Sequence, residues 1–541
     1  MHIDHPRDHW LALTVAAVTA IVFSPTLGGF FLSDDFSYIS TIAEASSRGA
    51  LLGEVTRNFS HGLVSAGDSY YRPLTYASFA LDYMLYGAAA TGYRITNLSL
   101  HAANAGLVAY LFLAIAPRAD HIPTAFPAVL AGLFFGLFPT TLEVAAWISG
   151  RFDALATFFL LLTLISFLRR DRWRHFAPMF LALALLSKES GILAFVIAAL
   201  IALFDAPRPT LPLPATKVLR VAALRIAPLA LIVVAYFYLR WQIFGAPFKV
   251  YAHSSTVSNL LSGAWMHALA TWPAWLRALT KDSPPTFLLF ASMCAGGGLC
   301  IVAFLRSPRA RRPLLLACAA ILICYALVFA NNPGFSADGR HGRLFYQMLI
   351  PAAWLVALPP AILSGVTVRV YAFAMSVCLV LLVAPQVDAW RGAGIESMKL
   401  RDVLATTAAA LPAAQFGVVF APEWRGSIPF ALNAQAGLVI PPIQAAPLSQ
   451  RLILQTDHEF VSFTDLAAGG LVNRLKREPL ISIMRGTTSP PPPSSIEWPD
   501  HYWCWLPASL SLREMPSPSY FRLGTNASEL EKSYAACSAG Q

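Results

Sequence analysis

The stretch WLALTVAAVTAIVFSPTLGGFFLSDDFSYIS (residues 10–40) decides the fold class of this chain. Its apolar run, about 10–32, is long enough to cross a bilayer, for which a helix needs about 20 residues. No small-residue cleavage site separates this run from the acids that follow, so we interpret it as a retained membrane anchor and not a signal peptide. Asp34 and Asp35 then stand side by side among aromatic residues, which favours a proton-accepting or metal-binding role for the pair.

The composition places the whole chain in the membrane class. Among its 541 residues, 56% are hydrophobic and 13% are charged, and the mean hydropathy is +0.57. Ten further apolar runs resemble spans, at 97–116, 123–142, 154–168, 176–187, 190–204, 224–243, 284–305, 314–330, 344–363 and 367–385. The sequence therefore predicts an all-α polytopic membrane protein with about eleven transmembrane helices.

Arginine and lysine collect on one side of the predicted spans. Clusters follow the fourth, sixth and eighth runs, at 169–175, 205–225 and 306–313. Because cytoplasmic loops carry the excess of positive charge, we predict a cytoplasmic amino terminus and an outer location for Asp34 and Asp35. The net charge of +10 is explained by this topology, so a nucleic-acid partner is unnecessary.

Two parts of the chain differ in composition. We predict a transmembrane catalytic domain over 1–385, whose outer loop 33–96 carries helices that lie in the membrane interface. Residues 386–541 mix polar and apolar residues, and there are enough of them for one compact α/β domain outside the cytoplasm.

The carboxyl-terminal domain offers few specific signals. Short strands are predicted at 416–424 and 436–443, and the proline-rich stretch 489–495 indicates a stiff linker. Cys504 and Cys537 are candidates for a disulfide, since the topology places them in an oxidising compartment.

Charged side chains gather at the predicted outer face of the membrane, where they are costly unless they face a cavity or each other. The carboxylates are Asp34, Asp35, Glu143 and Asp153; the cations are Arg72, Arg151, Lys188, Arg340 and Arg343; and His101 lies one turn into the second run. Cations can take up the charge of a departing phosphate, and a carboxylate can take the proton of an acceptor hydroxyl. This pattern fits sugar transfer from a polyprenyl-phosphate donor.

Structural roles compete with these functional ones. Arg72 could snorkel beneath the neighbouring tyrosines, and Glu143 could form a structural ion pair with Arg151, one or two helical turns later. His101 could be a satisfied interior hydrogen-bonding group. The adjacent Lys188 and Glu189 could pair with each other or mark a helix end.

Five blocks resemble the GT-C glycosyltransferases: SDDFSYI (33–39), YRPLTYASFALDYMLYG (71–87), GYRITNLSLHAANAGLV (92–108), FPTTLEVAAWISGRFDALAT (138–157) and LLSKESGI (185–192). They are most similar to the transmembrane-and-TPR O-mannosyltransferases. The protein O-mannosyltransferases and the lipid A aminoarabinose transferase are more distant. The resemblance covers about 28–200.

The resemblance implies a multi-span fold, a polyprenyl-phosphate sugar donor and an inverting single displacement. It implies that Asp34 is the catalytic acid–base residue, with Asp35 as its companion and Glu143 as a second acid. The cations Arg72, Arg151 and Lys188 fall in matching blocks and are assigned by charge to the donor phosphate and head group.

The chain also departs from the family pattern. Phe138 precedes Pro139 where relatives often have His-Pro, and no TPR array follows the last span, so the mannose-to-protein assignment has no basis here. Relatives differ in metal use, so a Mg²⁺ or Mn²⁺ site at Asp34, Asp35 and Glu143 stays open.

We therefore expect a hexosyl- or pentosyltransferase that acts on an envelope glycan, lipid or protein at the periplasmic face of a bacterial inner membrane. Its amino terminus would be cytoplasmic and its carboxyl-terminal domain periplasmic. A transporter or flippase of a lipid-linked saccharide would use similar cations without a base, but the two related halves typical of transporters are not found in the sequence. An O-antigen ligase-like enzyme is a third alternative.

Overall fold

The computed structural model describes residues 6–56, 70–116, 125–204, 215–245, 256–330, 335–412, 415, 417–432, 435–448, 451–456 and 500–515. Arg208 of the second cation cluster, the proline-rich stretch 489–495 and Cys537 lie outside these residues.

The described part is mostly helical. Its α-helices are α1 (Pro6–Phe23), α2 (Asp35–Ser47), α3 (Leu51–Thr56), α4 (Pro73–Tyr86), α5 (Ala90–Ile115), α6 (Ala125–Leu137), α7 (Leu142–Ala146), α8 (Arg151–Leu168), α9 (Ala177–Ser187), α10 (Leu193–Phe204), α11 (Ala215–Phe244), α12 (Thr256–Ser262), α13 (Ala264–Leu279), α14 (Pro284–Arg306), α15 (Pro308–Ala330), α16 (Leu349–Ile362) and α17 (Val366–Ala410). The strands are β1 (Gly417–Ala421), β2 (Trp424–Arg425), β3 (Ile428–Pro429), β4 (Leu452–Thr456), β5 (His501–Leu506) and β6 (Ser511–Met515).

Each of the eleven predicted apolar runs contains a helix, but not every helix is long enough to cross a bilayer. Seven helices of the described residues meet the length and hydropathy of a span, and an eighth is formed if Ala125–Leu137 and Pro139–Ala146, bent by 50°, count together. The helices α9, α10 and α16, with 11, 12 and 14 residues, are shorter. The prediction of a mostly helical multi-pass membrane protein is confirmed, with seven or eight candidate spans.

The apolar surface of the long helices supports the membrane assignment. Only 17% of the most apolar window of α11 is buried inside the protein. Leu224, Leu231 and Val234 are among its exposed side chains. An apolar helix with so little cover is stable in lipid, where its backbone groups are satisfied internally.

The chain forms two compact units. The first comprises Met1–Leu27, Tyr71–Tyr76 and Arg94–Ala389, and the second comprises Gly28–Tyr70, Ala77–Tyr93 and Trp390–Gln541. The predicted boundary at 385 stays a prediction.

Small residues bring helices of the first unit close together. A Cβ added to Gly132 of α6 would lie 2.7 Å from Cγ1 of Val15 in α1 and 2.8 Å from the carbonyl oxygen of Ala105 in α5. Such close approach is how helices gain packing energy in lipid. This packing holds α6 in place against α1 and α5, and α6 leads into the loop that carries Glu143.

The second unit contains a four-stranded sheet in the order β4-β1-β5-β6, in which β1 pairs in parallel with β4 and β5, and β6 is antiparallel. The strand predicted at 416–424 is observed as β1. The strand predicted at 436–443 is wrong, because Gln435–Val439 forms a 3₁₀ helix and Pro441 and Pro442 lack the N–H that a sheet ladder needs.

Two other features bear on the sequence predictions. The predicted interfacial loop does contain helices, α2, α3 and α4, while their place at the interface stays a prediction. Cys504 lies in β5 and is disulfide-bonded, and its proposed partner is outside the described residues.

Candidate functional site

The second-loop acid lies in a tightly packed turn of the first unit. Pro139 starts a 3₁₀ turn directly after α6, and α7 and a second 3₁₀ turn, Ile148–Gly150, follow. Every residue of this segment is buried, and Glu143 is 5% exposed. The short turns replace one long helix, and they place a carboxylate in the protein interior instead of at the lipid surface.

Glu143 is held by Arg343. The Arg343 Nη1 atom lies 3.2 Å from Oε1 of Glu143, and the backbone N–H of Arg343 donates to Oε2 at 3.3 Å. The guanidinium also lies over the ring of Trp147, 4.6 Å from its centroid. These contacts attach the 335–345 loop to the second-loop acid, and they replace the ion pair within the loop that the sequence left open for Glu143.

Lys188 pairs with Asp153 and not with its neighbour Glu189. Its Nζ atom lies 2.6 Å from Oδ1 of Asp153, and the two side chains are 17% and 7% exposed. Burial lowers the pKa of Lys188, Asp153 opposes this shift, and the nearby Arg72 and Arg343 add to it. Lys188 thus keeps a carboxylate partner in a setting that also contains other positive charges.

Arg72 is bound by Glu189, so it does not simply snorkel to the surface. Its Nη2 and Nε atoms lie 2.8 Å and 3.1 Å from Oε2 of Glu189, and its guanidinium lies over the ring of Phe152. Nη1 of Arg240 lies 3.5 Å from the other carboxylate oxygen. Burial would raise the pKa of Glu189, but these two arginines hold it below its ordinary value.

Arg240 is a candidate site residue that the sequence analysis missed. Its side chain is 1% exposed although α11 mostly faces outward, and it lies near Tyr236, one turn earlier. The Tyr236 hydroxyl is also buried. An arginine inside an apolar run is a signal that could have identified it, because such residues are rare and functional in membranes.

Arg151 is fully buried, and its Nε atom donates to Oδ1 of Asn97 at 2.7 Å. The Asn97 amide in turn donates to the carbonyl oxygens of Trp147 and Ile148, at 2.8 Å and 3.1 Å. Arg151 therefore supports the turn over which Arg343 lies.

His101 has partners on both ring nitrogens. Nε2 lies 3.0 Å from the carbonyl oxygen of Gly136, so it carries the proton, and Nδ1 accepts from the Tyr346 hydroxyl at 2.9 Å. The Asn104 amide donates to the same hydroxyl at 3.2 Å. The network joins α5, α6 and the segment after Arg343, as expected for an interior hydrogen-bonding group.

Arg340 lies in the same loop as Arg343 but in a more open setting. Its side chain is 37% exposed and lies 3.7 Å from Asp338, a geometry that contributes little energy. Its carbonyl oxygen accepts from the indole N–H of Trp275 at 2.6 Å. This bond attaches the loop to α13.

His341 gives this loop a pH-dependent stability. Burial lowers its pKa to about 4, with Arg343 contributing, so it is neutral in the folded protein at pH 7. Unfolded histidine titrates near 6.5. As pH falls from about 6.5 to 4, the unfolded chain takes up a proton that the folded chain excludes, and stability is lost, by roughly 1–3 kcal/mol.

We therefore expect His341→Asn to flatten the acid limb of thermal stability measured in detergent between pH 7 and 4.5. Asparagine tolerates the left-handed backbone at this position, where φ is 63°. If the melting temperatures of the wild type and of His341→Asn fall equally as the pH is lowered, His341 is not the group responsible for the loss of stability.

The acid pair belongs to the second unit. Asp35 is fully buried, and its Oδ2 atom accepts the backbone N–H of Leu32 at 3.0 Å. Asp34 is half-buried at the amino-terminal end of α2, where the helix dipole favours negative charge. Asp34 is thus the more accessible acid of the two.

Metal binding was left open for Asp34, Asp35 and Glu143. Across the described ranges, no three His, Cys, Asp or Glu side chains are grouped as a metal ion would need.

A large apolar cavity lies among α13, α14, α15 and α16 of the first unit. Its volume is about 580 Å³, and its lining includes Trp272, Trp275, Cys300, Cys318, Phe345 and Tyr371. Trp275 and Phe345 belong to the contacts that fix the Arg343 loop, with ring centroids 4.7 Å apart. Residues that line the cavity therefore also contact the loop that carries Arg343.

Comparison with solved structures gives low similarity over most of the chain. ArnT from Cupriavidus metallidurans bound to undecaprenyl phosphate has a TM-score of 0.44 at 15% identity, over 85% of this chain and 91% of that one. The Archaeoglobus fulgidus oligosaccharyltransferase in complex with Zn and sulfate has a TM-score of 0.41 at 13% identity, over 75% of this chain and 60% of that one.

Comparison with curated sequences gives clearer relatives, although no family model matches. The chain is 29% identical over 189 residues to Protein O-mannosyl-transferase F38B6.6 of Caenorhabditis elegans, covering 34% of this chain and 27% of that protein. It is 27% identical over 213 residues to human Protein O-mannosyl-transferase TMTC4, covering 34% and 28%. The chain thus spans little more than a quarter of the length of these relatives. The resemblance seen in the five sequence blocks is confirmed as partial homology, over about a third of the chain, to protein O-mannosyl-transferases.

Proposed function

We propose that this protein is a membrane glycosyltransferase of the GT-C kind that transfers one sugar from a polyprenyl-phosphate donor to an acceptor hydroxyl. One observation carries the proposal: a buried cluster of paired cations and carboxylates, including Lys188–Asp153 and Arg343–Glu143, in a chain with partial homology to O-mannosyl-transferases. Lone buried charges are costly, and paired ones can exchange partners with an incoming phosphate.

The donor phosphate would be held by the cations of the cluster. Arg72, Lys188 and Arg343 provide guanidinium and ammonium donors that can stabilise the negative charge left on the phosphate when the glycosidic bond breaks. Arg151 and His101 would keep their turns in place. Arg340 would add charge at the more exposed end of the loop.

The apolar cavity supports a lipid-linked donor. Its wall is aromatic and aliphatic, and its volume of about 580 Å³ is within the range of ligand pockets in proteins. An isoprenoid chain placed there would leave its phosphate beside the loop that carries Arg343.

We assign the acceptor chemistry to Asp34. Its carboxylate would remove the proton of the acceptor hydroxyl as the oxygen attacks the anomeric carbon and the polyprenyl phosphate departs, with inversion at that carbon. Asp35, buried and hydrogen-bonded, would hold the turn, and Glu143 would orient Arg343.

We further propose that these events take place on the periplasmic side of a bacterial inner membrane, with a cytoplasmic amino terminus, a periplasmic carboxyl-terminal domain and eleven crossings. The acceptor would be an envelope glycan, lipid or protein.

The test uses purified protein in detergent with a panel of undecaprenyl-phosphate-linked hexoses and pentoses, and membranes from cells lacking the protein as the acceptor source. We expect one donor to be consumed, with release of undecaprenyl phosphate. Arg343→Gln should raise the donor KM about tenfold or more, whereas Arg174→Gln, at an exposed arginine, should match the wild type. If the wild type consumes no donor of the panel, the proposed function is contradicted.

A further inference from the structure

We propose that the carboxyl-terminal region positions Asp34 for catalysis. The residues that do so, called here the clamp, are Gly394, Ser397, Phe430, Leu432 and Gly437. They contact the acid turn, defined as residues 29–36. This inference rests on the proposed function, in which Asp34 is the general base, and it gives the tail a role that its sequence did not reveal. All of these residues belong to the second unit.

Helix α17 supplies the first half of the clamp. The backbone N–H of Phe30 donates to the carbonyl oxygen of Gly394 at 3.3 Å, and the Ser397 hydroxyl donates to the carbonyl oxygen of Phe31 at 2.8 Å. A Cβ on Gly394 would lie 2.6 Å from the Cα of Gly29 and 2.8 Å from the nitrogen of Phe30. The helix and the acid turn are therefore in direct backbone contact, and only glycine fits between them.

The segment after β3 supplies the second half. The backbone N–H of Ser33 donates to the carbonyl oxygen of Phe430 at 2.8 Å. The Ser33 hydroxyl donates to the carbonyl oxygen of Leu432 at 2.7 Å. Gly437 packs against Phe36. A Cβ added to Gly437 would lie 2.7 Å from both the carbonyl carbon and the Cβ of Phe36. The residues on both sides of Asp34 are thus fixed by groups about 400 positions later in the chain.

The backbone of Ser33 shows what these bonds achieve. Its φ is 52°, a left-handed conformation that a non-glycine residue adopts at a cost and keeps only when its surroundings impose it. Ser33 directly precedes Asp34. The two hydrogen bonds to Phe430 and Leu432 impose this conformation, and it sets the direction in which α2 starts.

Positioning of this kind affects the chemical step more than donor binding. A general base must lie within hydrogen-bond reach of the proton that it removes, and a shift of about 1 Å at a reacting group can reduce the rate about 100-fold. The clamp should therefore influence kcat and leave the donor KM unchanged.

Gly394→Ala and Gly392→Ala form a matched pair on one helix. Gly392 has no atom within 4 Å of an added Cβ, so the alanine at 392 should behave as wild type. Gly394→Ala should displace the acid turn from its position beside α17. We expect it to lower kcat about 10- to 100-fold and to leave the donor KM unchanged. The donor is the one from the undecaprenyl-phosphate panel that the wild type consumes.

Ser33→Ala is the second variant, in case the alanine at 394 prevents folding. It removes the hydroxyl bond to Leu432 but leaves the backbone bond, so we expect a smaller fall in kcat, about tenfold, again at constant KM. Asp34→Asn, measured in parallel, separates the two hypotheses. If Asp34→Asn is inactive while Gly394→Ala and Ser33→Ala keep full turnover, the positioning role of the clamp is contradicted. If Asp34→Asn is active, the assignment of Asp34 as the base is contradicted instead.

Discussion

Asp34→Asn is expected to abolish sugar transfer, with kcat falling by at least about 1,000-fold, while undecaprenyl phosphate still binds. The amide cannot take a proton from the acceptor, and general base catalysis alone contributes about 100- to 10,000-fold. The side chains are nearly equal in size, so the acid turn should keep its structure. The measurement is a transfer assay together with binding of undecaprenyl phosphate to the purified variant.

Asp35→Asn serves as the comparison, because Asp35 is fully buried and accepts a backbone N–H. Its loss should act mainly on stability, with a smaller fall in kcat. Full turnover by Asp34→Asn would show that another group is the base.

Asp153→Ala is expected to destabilise the protein by about 3–5 kcal/mol, because it leaves the Lys188 ammonium buried without its carboxylate. The cost should decrease as pH rises. Burial already lowers the pKa of Lys188, so without Asp153 the ammonium would lose its proton at a still lower pH, and a neutral lysine is tolerated.

A double-mutant cycle measures this pair directly. Asp153→Ala combined with Lys188→Met removes both charges, and we expect it to recover most of the lost stability. Thermal unfolding in detergent at pH 6 and pH 9 provides the comparison. Single and double variants that are equally unstable would show that the loss comes from packing and not from an unpaired charge.

The sequence identified charged residues as candidates for the site, but it did not predict which partners they have. Lys188 and Glu189 are adjacent in one turn, yet their partners lie 35 and 117 positions away. The extended backbone of Lys188, with φ of −161°, lets neighbouring side chains diverge. Hydropathy patterns carry no information of this kind.

The tail shows a different limit. Local pattern reading predicted a strand at 436–443, but Gln435–Val439 forms a 3₁₀ helix in which Gly437 packs against Phe36, and Pro441 and Pro442 cannot donate to a sheet ladder. The bonds that connect Ser33 to Phe430 and Leu432 are contacts between distant positions with no charge or motif to mark them. A single sequence therefore predicted a mostly helical membrane protein, but not the contacts that hold the turn at Asp34.

The proposed function gives the two sets of contacts different roles. Under the proposed function, the paired cations Lys188 and Arg343 would act on the donor phosphate, and the hydrogen-bonded turn at Ser33 would hold Asp34 as the base. Loss of the cations should therefore appear in donor KM, and loss of the clamp in kcat.

The most direct measurement compares cells that contain the protein with cells that lack it, by mass spectrometry of their lipid-linked sugars and envelope glycans. If the protein moves one sugar from a polyprenyl phosphate, its absence should remove a single-sugar mass from one envelope product and raise the level of the matching polyprenyl-phosphate sugar. Identical glycan and donor profiles in the two cell types would contradict a transferase function for this chain.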